Sequence, residues 1–277
     1  MTQHCLINGQ PRDTVSVMDR GLQYGDGVFE TALIVGGRVQ AWYRHQQRLL
    51  LGCERLAIEF NELSSLLHEI EQLCADVERA VLKVIITRGV SGRGYRPLPR
   101  VSAGPPTRIV QVHPAPTTGK NTMTNGRVIV CRTPWAINPR LAQIKHLNRL
   151  EQILARAECP ENEVGEGLML DTECHVISAT AANLFLVRAG QLVTPDVTRS
   201  GVAGVTREMI LELASTIGLT PSVCAVTLED LYAAEEVFLT NSLIGVRPII
   251  SIDANSIPKG PLAPILNEAL LRRLASE

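Results

Sequence analysis

The stretch RLAQIKHLNRLEQILARAE, residues 140–158, sets a single lysine, Lys145, between Ile144 and His146, just ahead of a helical apolar period. Such an amine is either a nucleophile that burial relieves of its proton or a charge whose stem covers a helix end. Most lysines are exposed, so the segment alone favours the second reading. A second stretch, GVAGVTRE at 201–208, runs two glycines into a helix start. The N–H groups around Val205 and Thr206 then point out of the helix end, where an anion such as phosphate is held. Glycine-rich helix starts also serve as plain tight turns, and the absence of a following Gly-Lys-Ser or Gly-Lys-Thr excludes a P-loop. His146 adjoins Lys145, but neighbouring side chains diverge, so it reads as structural or interfacial. The seven cysteines include no CxxC pair, which argues against a zinc site and a disulfide framework.

The elements that must position these residues alternate in type. The chain opens with β-like runs and Gly/Asp turns, including VGGRV, which suits a hairpin. Leu49, Leu50, Cys53, Leu56 and Ala57, then Leu63, Leu66, Leu67, Ile70 and Leu73, recur at helical spacing and predict two helices. AVLKVIITRG and TRIVQVHPAP predict buried strands. The Pro, Thr, Gly and Asn content of HPAPTTGKNTMTNG points to a linker at 116–126, between a smaller domain at 1–115 and a larger one at 127–277. In the second half, Leu147, Leu150, Ile153, Leu154 and Ala157 predict an apolar stripe that anchors the helix after Lys145, and TREMILELASTIGL predicts a helix ending at Gly218. The fold class expected is α/β in two unequal domains.

With 277 residues, 45% of them hydrophobic, the chain is long enough for a substantial core. The net charge of −1, without long single-sign runs, gives no reason to expect nucleic acid or an anionic membrane as partner. A small-molecule substrate is the better expectation. The start MTQHCLINGQPRDT lacks the basic and apolar regions of a signal peptide, and no apolar run is long enough to span a bilayer, so a cytoplasmic protein is expected.

DRGLQYGDGVFET, HQQRL, IKHLNRLEQ, NLF and GVTRE, in that order, resemble the fold type IV pyridoxal-phosphate enzymes, the group of branched-chain and D-amino-acid aminotransferases and aminodeoxychorismate lyase. The likeness covers nearly the whole chain, and IKHLNRLEQ with RGVSGRGY is most similar to the lyase branch, which releases 4-aminobenzoate and pyruvate in folate biosynthesis. The resemblance implies a two-domain fold of the D-amino-acid aminotransferase type, pyridoxal 5'-phosphate as cofactor and a homodimer. By position, Lys145 matches the lysine that bonds to the cofactor and Arg48 the arginine that holds its phosphate. Val205 and Thr206 match the residues that complete the phosphate cup. A free lysine titrates near ~10.4, so burial beside Ile144 and Leu147 and a cation such as Arg48 are expected to favour its neutral form.

The aminotransferases of the group carry a glutamate five residues before the Asn of an Asn-hydrophobe-Phe segment, where it pairs with the protonated pyridine nitrogen. In VISATAANLF the residue five before Asn183 is Ser178, which can donate a hydrogen bond to that nitrogen but cannot hold it as a cation. A weaker electron sink favours the lyase, whose reaction is drawn forward by aromatisation, over an aminotransferase. Two other readings stand beside this one: Glu173 reaches the ring by a local shift, or Ser178 is a spectator hydroxyl on a strand. In RGVSGRGYRPLP, at 88–99, Arg93 or Tyr95 is placed to meet a substrate carboxylate, unless the loop is simply solvated. Thr240, Asn241 and Ser242 in TNSLIGVRP are candidates to line the cofactor side of the site, Ser242 and Tyr24 are also candidates to touch the substrate, and Tyr24 is otherwise a core tyrosine. A branched-chain or D-amino-acid aminotransferase is the alternative activity, and a non-catalytic binding protein that keeps the fold is a third.

Overall fold

The computed structural model describes residues 4–98, 104–116, 126–160 and 164–277. The backbone forms two compact units, Met1–Ala115 with Ile144–Asn148, and Pro116–Gln143 with Arg149–Glu277. Residues 117–125, nearly all of the expected linker, lie outside the described residues, as does Pro99 of the glycine-rich loop.

The first unit is built on an antiparallel sheet of β1 (Cys5–Ile7), β2 (Gly27–Val35), β3 (Arg38–Val39), β4 (Arg79–Thr87) and β5 (Thr107–Pro114), ordered β1-β5-β4-β2-β3. The expected hairpin is β2–β3, turned at Gly36 and Gly37, both at positive φ. A short helix, α1 (Arg20–Tyr24), precedes β2, and α2 (Trp42–Arg55) and α3 (Leu63–Cys74) follow β3. The periodicity of both longer helices becomes burial: Leu49, Cys53, Leu66, Ile70 and Leu73 pack with Val28, Ile34, Val84 and Ile86 of the sheet. Each fully buried aliphatic side chain of this kind contributes roughly 1.5–3 kcal/mol.

The second unit carries two five-stranded sheets. One orders β11 (Ser222–Cys224), β10 (Gln191–Pro195), β9 (Asn183–Arg188), β12 (Glu236–Asn241) and β13 (Gly245–Pro248). The other orders β15 (Asn255–Ser256), β14 (Ser251–Ile252), β6 (Arg127–Val130), β7 (Glu166–Leu170) and β8 (Val176–Ala179), with parallel pairing on both sides of β6. Leu168, Val176, Leu184, Leu186, Val237 and Ile252 share a core between these sheets. Helices α4 (Leu150–Ala157), α5 (Val205–Thr216), α6 (Leu228–Tyr232) and α7 (Leu262–Ser276) complete the unit. The expected mixed α/β class is what the structure shows.

One expectation needs correction. The stripe on α4 is present but does not anchor the helix internally, because Leu150, Ile153 and Leu154 are 73%, 61% and 59% exposed. Ala155 and Gln152 face inward instead. Among the described residues no helix is long and apolar enough to cross a membrane, and all seven cysteines are free.

Candidate active site

In the first unit, Lys145 lies ahead of α4 on an extended segment paired to β2. Phe29 N donates to Lys145 O at 2.9 Å, Leu147 N donates to Gly27 O at 2.9 Å, and Val28 bridges His146. Gly27 permits this approach, since a Cβ there would stand 2.5 Å from Ile86 O and 2.8 Å from Leu147 Cδ1. Ile144 and His146 are buried while Lys145 itself is half-buried, its Nζ 4.2 Å from the centroid of the Phe29 ring. The amine therefore rests against an apolar face on a segment fixed by backbone hydrogen bonds.

The next residue of β2, Glu30, fixes Arg48. Arg48 Nε donates to Glu30 Oε1 at 2.8 Å and Nη2 to Oε2 at 2.7 Å, a two-pronged pair that sets the plane of the guanidinium. His45, one helical turn before Arg48 on α2, places its Nδ1 2.7 Å from Glu30 Oε2. Burial alone would raise the Glu30 carboxyl, but the charge and hydrogen bonds of Arg48, with His45, bring it down to about 2. Glu30, His45 and Phe29 were not singled out from sequence, because each acquires its role from a partner distant in the chain.

The loop after β4 is held by α1. Tyr24 OH accepts from Gly94 N at 3.3 Å, and the Tyr24 and Tyr95 rings meet edge to face at 5.5 Å. Tyr24 thus props the loop, while Arg93 and Tyr95 are exposed on it, Tyr95 by 86%.

In the second unit, Gly204 caps α5 and Val205 and Thr206 form its first turn, both buried. The first N–H groups of a helix have no acceptor within it and carry its positive end. Asn183, the marker of the NLF segment, fastens this turn: its Nδ2 donates to Val202 O at 2.9 Å, and a Cβ on Gly204 would overlap its Oδ1. Ser242 brings its hydroxyl to 3.5 Å from that of Thr206. The hydroxyl of Thr240, in register with Asn183, is buried without a hydrogen-bond partner among the described residues. Buried hydroxyls normally find partners, so helix N–H groups and several hydroxyls gathered here suit a group rich in acceptor oxygens, as a phosphate is. The adjacent cation, Arg207, turns inward and donates to Pro195 O at 3.0 Å.

Asn241 is engaged differently from its neighbour. Its Nδ2 donates to Ala181 O, and its Oδ1 accepts from Leu243 N and Ile244 N, so its amide shapes the turn after β12. Ser178 is buried on β8 and donates to Ala179 O at 2.8 Å. Glu173 lies on the exposed turn before β8, gripped by Arg199 at 2.7 and 2.6 Å.

A family model described as amino-transferase class IV matches residues 27–252. An aminodeoxychorismate lyase of Vibrio harveyi is 36% identical over 251 residues, 90% of this chain and 91% of its own. A putative branched-chain-amino-acid aminotransferase of Methanocaldococcus jannaschii is 32% identical over 248 residues, 88% of this chain and 84% of its own. The crystal structure of a 4-amino-4-deoxychorismate lyase from Pseudomonas aeruginosa superposes with a TM-score of 0.91 at 42% identity, covering 97% of this chain and 98% of that one. The family model begins on the strand that carries Glu30 and runs past the start of α5, over Lys145, Arg48, Ser178, Val205 and Thr206: the chain belongs to the class IV amino-transferase family.

Proposed function

We propose that this chain is a pyridoxal 5'-phosphate-dependent lyase that converts 4-amino-4-deoxychorismate to 4-aminobenzoate and pyruvate. The observation that carries the reading is its likeness, over nine-tenths or more of the chain, to two such lyases from different bacteria. Ser178, where the aminotransferases of the group carry an acid, supports the same side. Lys145 Nζ would bond the cofactor; Arg48, the amides of Val205 and Thr206, and the hydroxyls of Thr206 and Ser242 would hold its phosphate. When bound, the cofactor supplies an electrophilic carbon and a ring that accepts electron density from the carbon bearing the substrate nitrogen. Lys145 Nζ, as a neutral amine beside the bound substrate, would remove the proton from the carbon bearing the substrate amine. It then returns a proton to the three-carbon fragment as the carbon–oxygen bond breaks and pyruvate leaves. Arg93 and Tyr95 meet the substrate carboxylates.

Ser178 must surrender its bond to Ala179 O to donate to the pyridine nitrogen, and as a neutral group it leaves that nitrogen uncharged. Removal of pyruvate tolerates this because formation of an aromatic ring drives it. The protein works in the cytoplasm as a homodimer, and the exposed leucine and isoleucine stripe on α4 supplies an apolar face for a second copy to cover.

The purified protein should bind pyridoxal phosphate with a visible absorption band that Lys145→Ala abolishes, and should release pyruvate from aminodeoxychorismate. A band without pyruvate release would sink the lyase reading while sparing the cofactor. Bleaching of the band by a D- or branched-chain amino acid would establish the aminotransferase instead, and a colourless protein the non-catalytic alternative.

A further inference from the structure

We infer that Arg20 is a positioning residue for the substrate: its guanidinium fixes the backbone of the exposed 93–96 loop and so the reach of Arg93 and Tyr95. The inference rests on the lyase reading for the identity of the substrate, a dicarboxylate, but its geometry stands apart from it.

Arg20 opens α1, whose start is held by Asp19 accepting from Gly21 N, and only 3% of Arg20 is exposed. A buried guanidinium needs acceptors in the plane of its fork, and here all three nitrogens find one. Nε donates to Asp26 Oδ2 at 2.8 Å, Nη1 to Gly94 O at 2.8 Å and Nη2 to Tyr95 O at 3.0 Å. Its carbon lies 4.8 Å from the centroid of the Tyr24 ring, and Tyr24 in turn accepts from Gly94 N. The loop residues Arg93–Arg96 are exposed and outside regular structure, so these bonds and the Tyr24–Tyr95 ring contact are what orders them.

Asp26 makes the device more than a local tether. The same carboxylate accepts from Arg88 Nε at 2.7 Å and Nη2 at 3.0 Å. Arg88 also donates to Leu56 O and Ala57 O, both at 2.7 Å, where α2 ends. One carboxylate between two guanidinium groups therefore ties the exposed loop to the helix that carries Arg48. Asp19 and Asp26 balance the charges of Arg20 and Arg88 beneath the loop, so the positive charge a dicarboxylate requires comes from Arg93 and Arg96 on the loop itself. Lysine at position 20 would keep the charge on Asp26 but, as a point donor on a flexible stem, would not hold two carbonyls in fixed directions.

The test is Arg20→Lys in the cofactor-loaded enzyme. Expected are a KM for aminodeoxychorismate raised about tenfold, a kcat within about twofold of wild type, and an unchanged absorption band and cofactor affinity. Brief trypsin treatment should cleave the variant after Arg93 well before the wild type. Unchanged KM and cleavage would overturn the inference. So would loss of the band or a parallel fall in kcat and cofactor affinity, which is the mark of a general structural role. If the wild type releases no pyruvate, the lyase reading fails, and the trypsin comparison still decides whether Arg20 orders the loop.

Discussion

Glu30→Gln tests whether the charge on a buried carboxylate organises the cofactor arginine. Glu30 is buried against Arg48 and His45, and its carboxyl falls from the ordinary 4.5 to about 2. At about 1.4 kcal/mol per pKa unit, the native state gains roughly 3 kcal/mol from keeping this group ionised. Because the folded value is depressed, that stability is fully present above pH 4.5 and is lost as the pH falls toward 2. Glutamine mimics the protonated form in shape and charge. The variant should therefore be less stable than wild type by about 3 kcal/mol at pH 7, within reach of the ~3–5 kcal/mol found on breaking buried pairs. Its deficit should shrink by about half at pH 3, where the wild type has itself begun to take up the proton. Urea unfolding of both proteins without cofactor at the two pH values measures this. A deficit below about 0.5 kcal/mol at pH 7, or one that does not change with pH, would refute the view that ionised Glu30 holds Arg48.

Three further substitutions follow from close contacts and from the charge at one position. Gly27→Ala should cost about 2 kcal/mol and lower the melting temperature, because its Cβ would press on Ile86 O and Leu147 and lift the Lys145 segment from β2. Gly204→Ala should weaken pyridoxal phosphate binding at least about tenfold in a fluorescence titration, and adding Asn183→Ala should recover part of the loss by removing the colliding side chain. Ser178→Glu should increase bleaching of the absorption band by amino acids by about tenfold or more while pyruvate release falls; an unchanged ratio of the two would show that position 178 does not select the reaction.

What was legible from sequence depended on whether a residue's partner lies nearby in the chain. The stripes of α2 and α3 read correctly because Leu49, Cys53, Leu66 and Ile70 meet the sheet beside them. The same period on α4 misled, since spacing reports that a helix has an apolar face without saying whether its own unit covers that face. The helix start at Val205 and Thr206 was legible because a glycine cap and a helix start are local signals. The pairing of the Lys145 segment with β2 was not, as more than a hundred residues separate Phe29 from Lys145 and neither stretch advertises the other. Asn241 illustrates a third limit: residue type marks it as a donor, but three backbone groups engage its amide.

Two carboxylates of the first unit, Glu30 buried and Asp26 half-buried, follow one rule. Glu30 orients the arginine of the proposed phosphate site, and Asp26 joins Arg20 and Arg88 beneath the proposed substrate loop. Burial alone would raise each carboxyl, yet arginine neighbours hold both below the ordinary carboxylate range, so both stay ionised through neutral pH. Neither carboxylate is assigned a bond to a reacting atom; each acts by fixing a cation whose direction matters. Strong acid therefore has a specific consequence. As the pH falls toward 2 the clamp on Arg48 loosens and cofactor affinity should fall, while the tie on the 93–96 loop loosens, and KM should rise, as Asp26 takes up its proton below the ordinary carboxylate range. A titration in which cofactor affinity fell with acid while KM held constant would show that the Asp26 tie does not govern substrate binding.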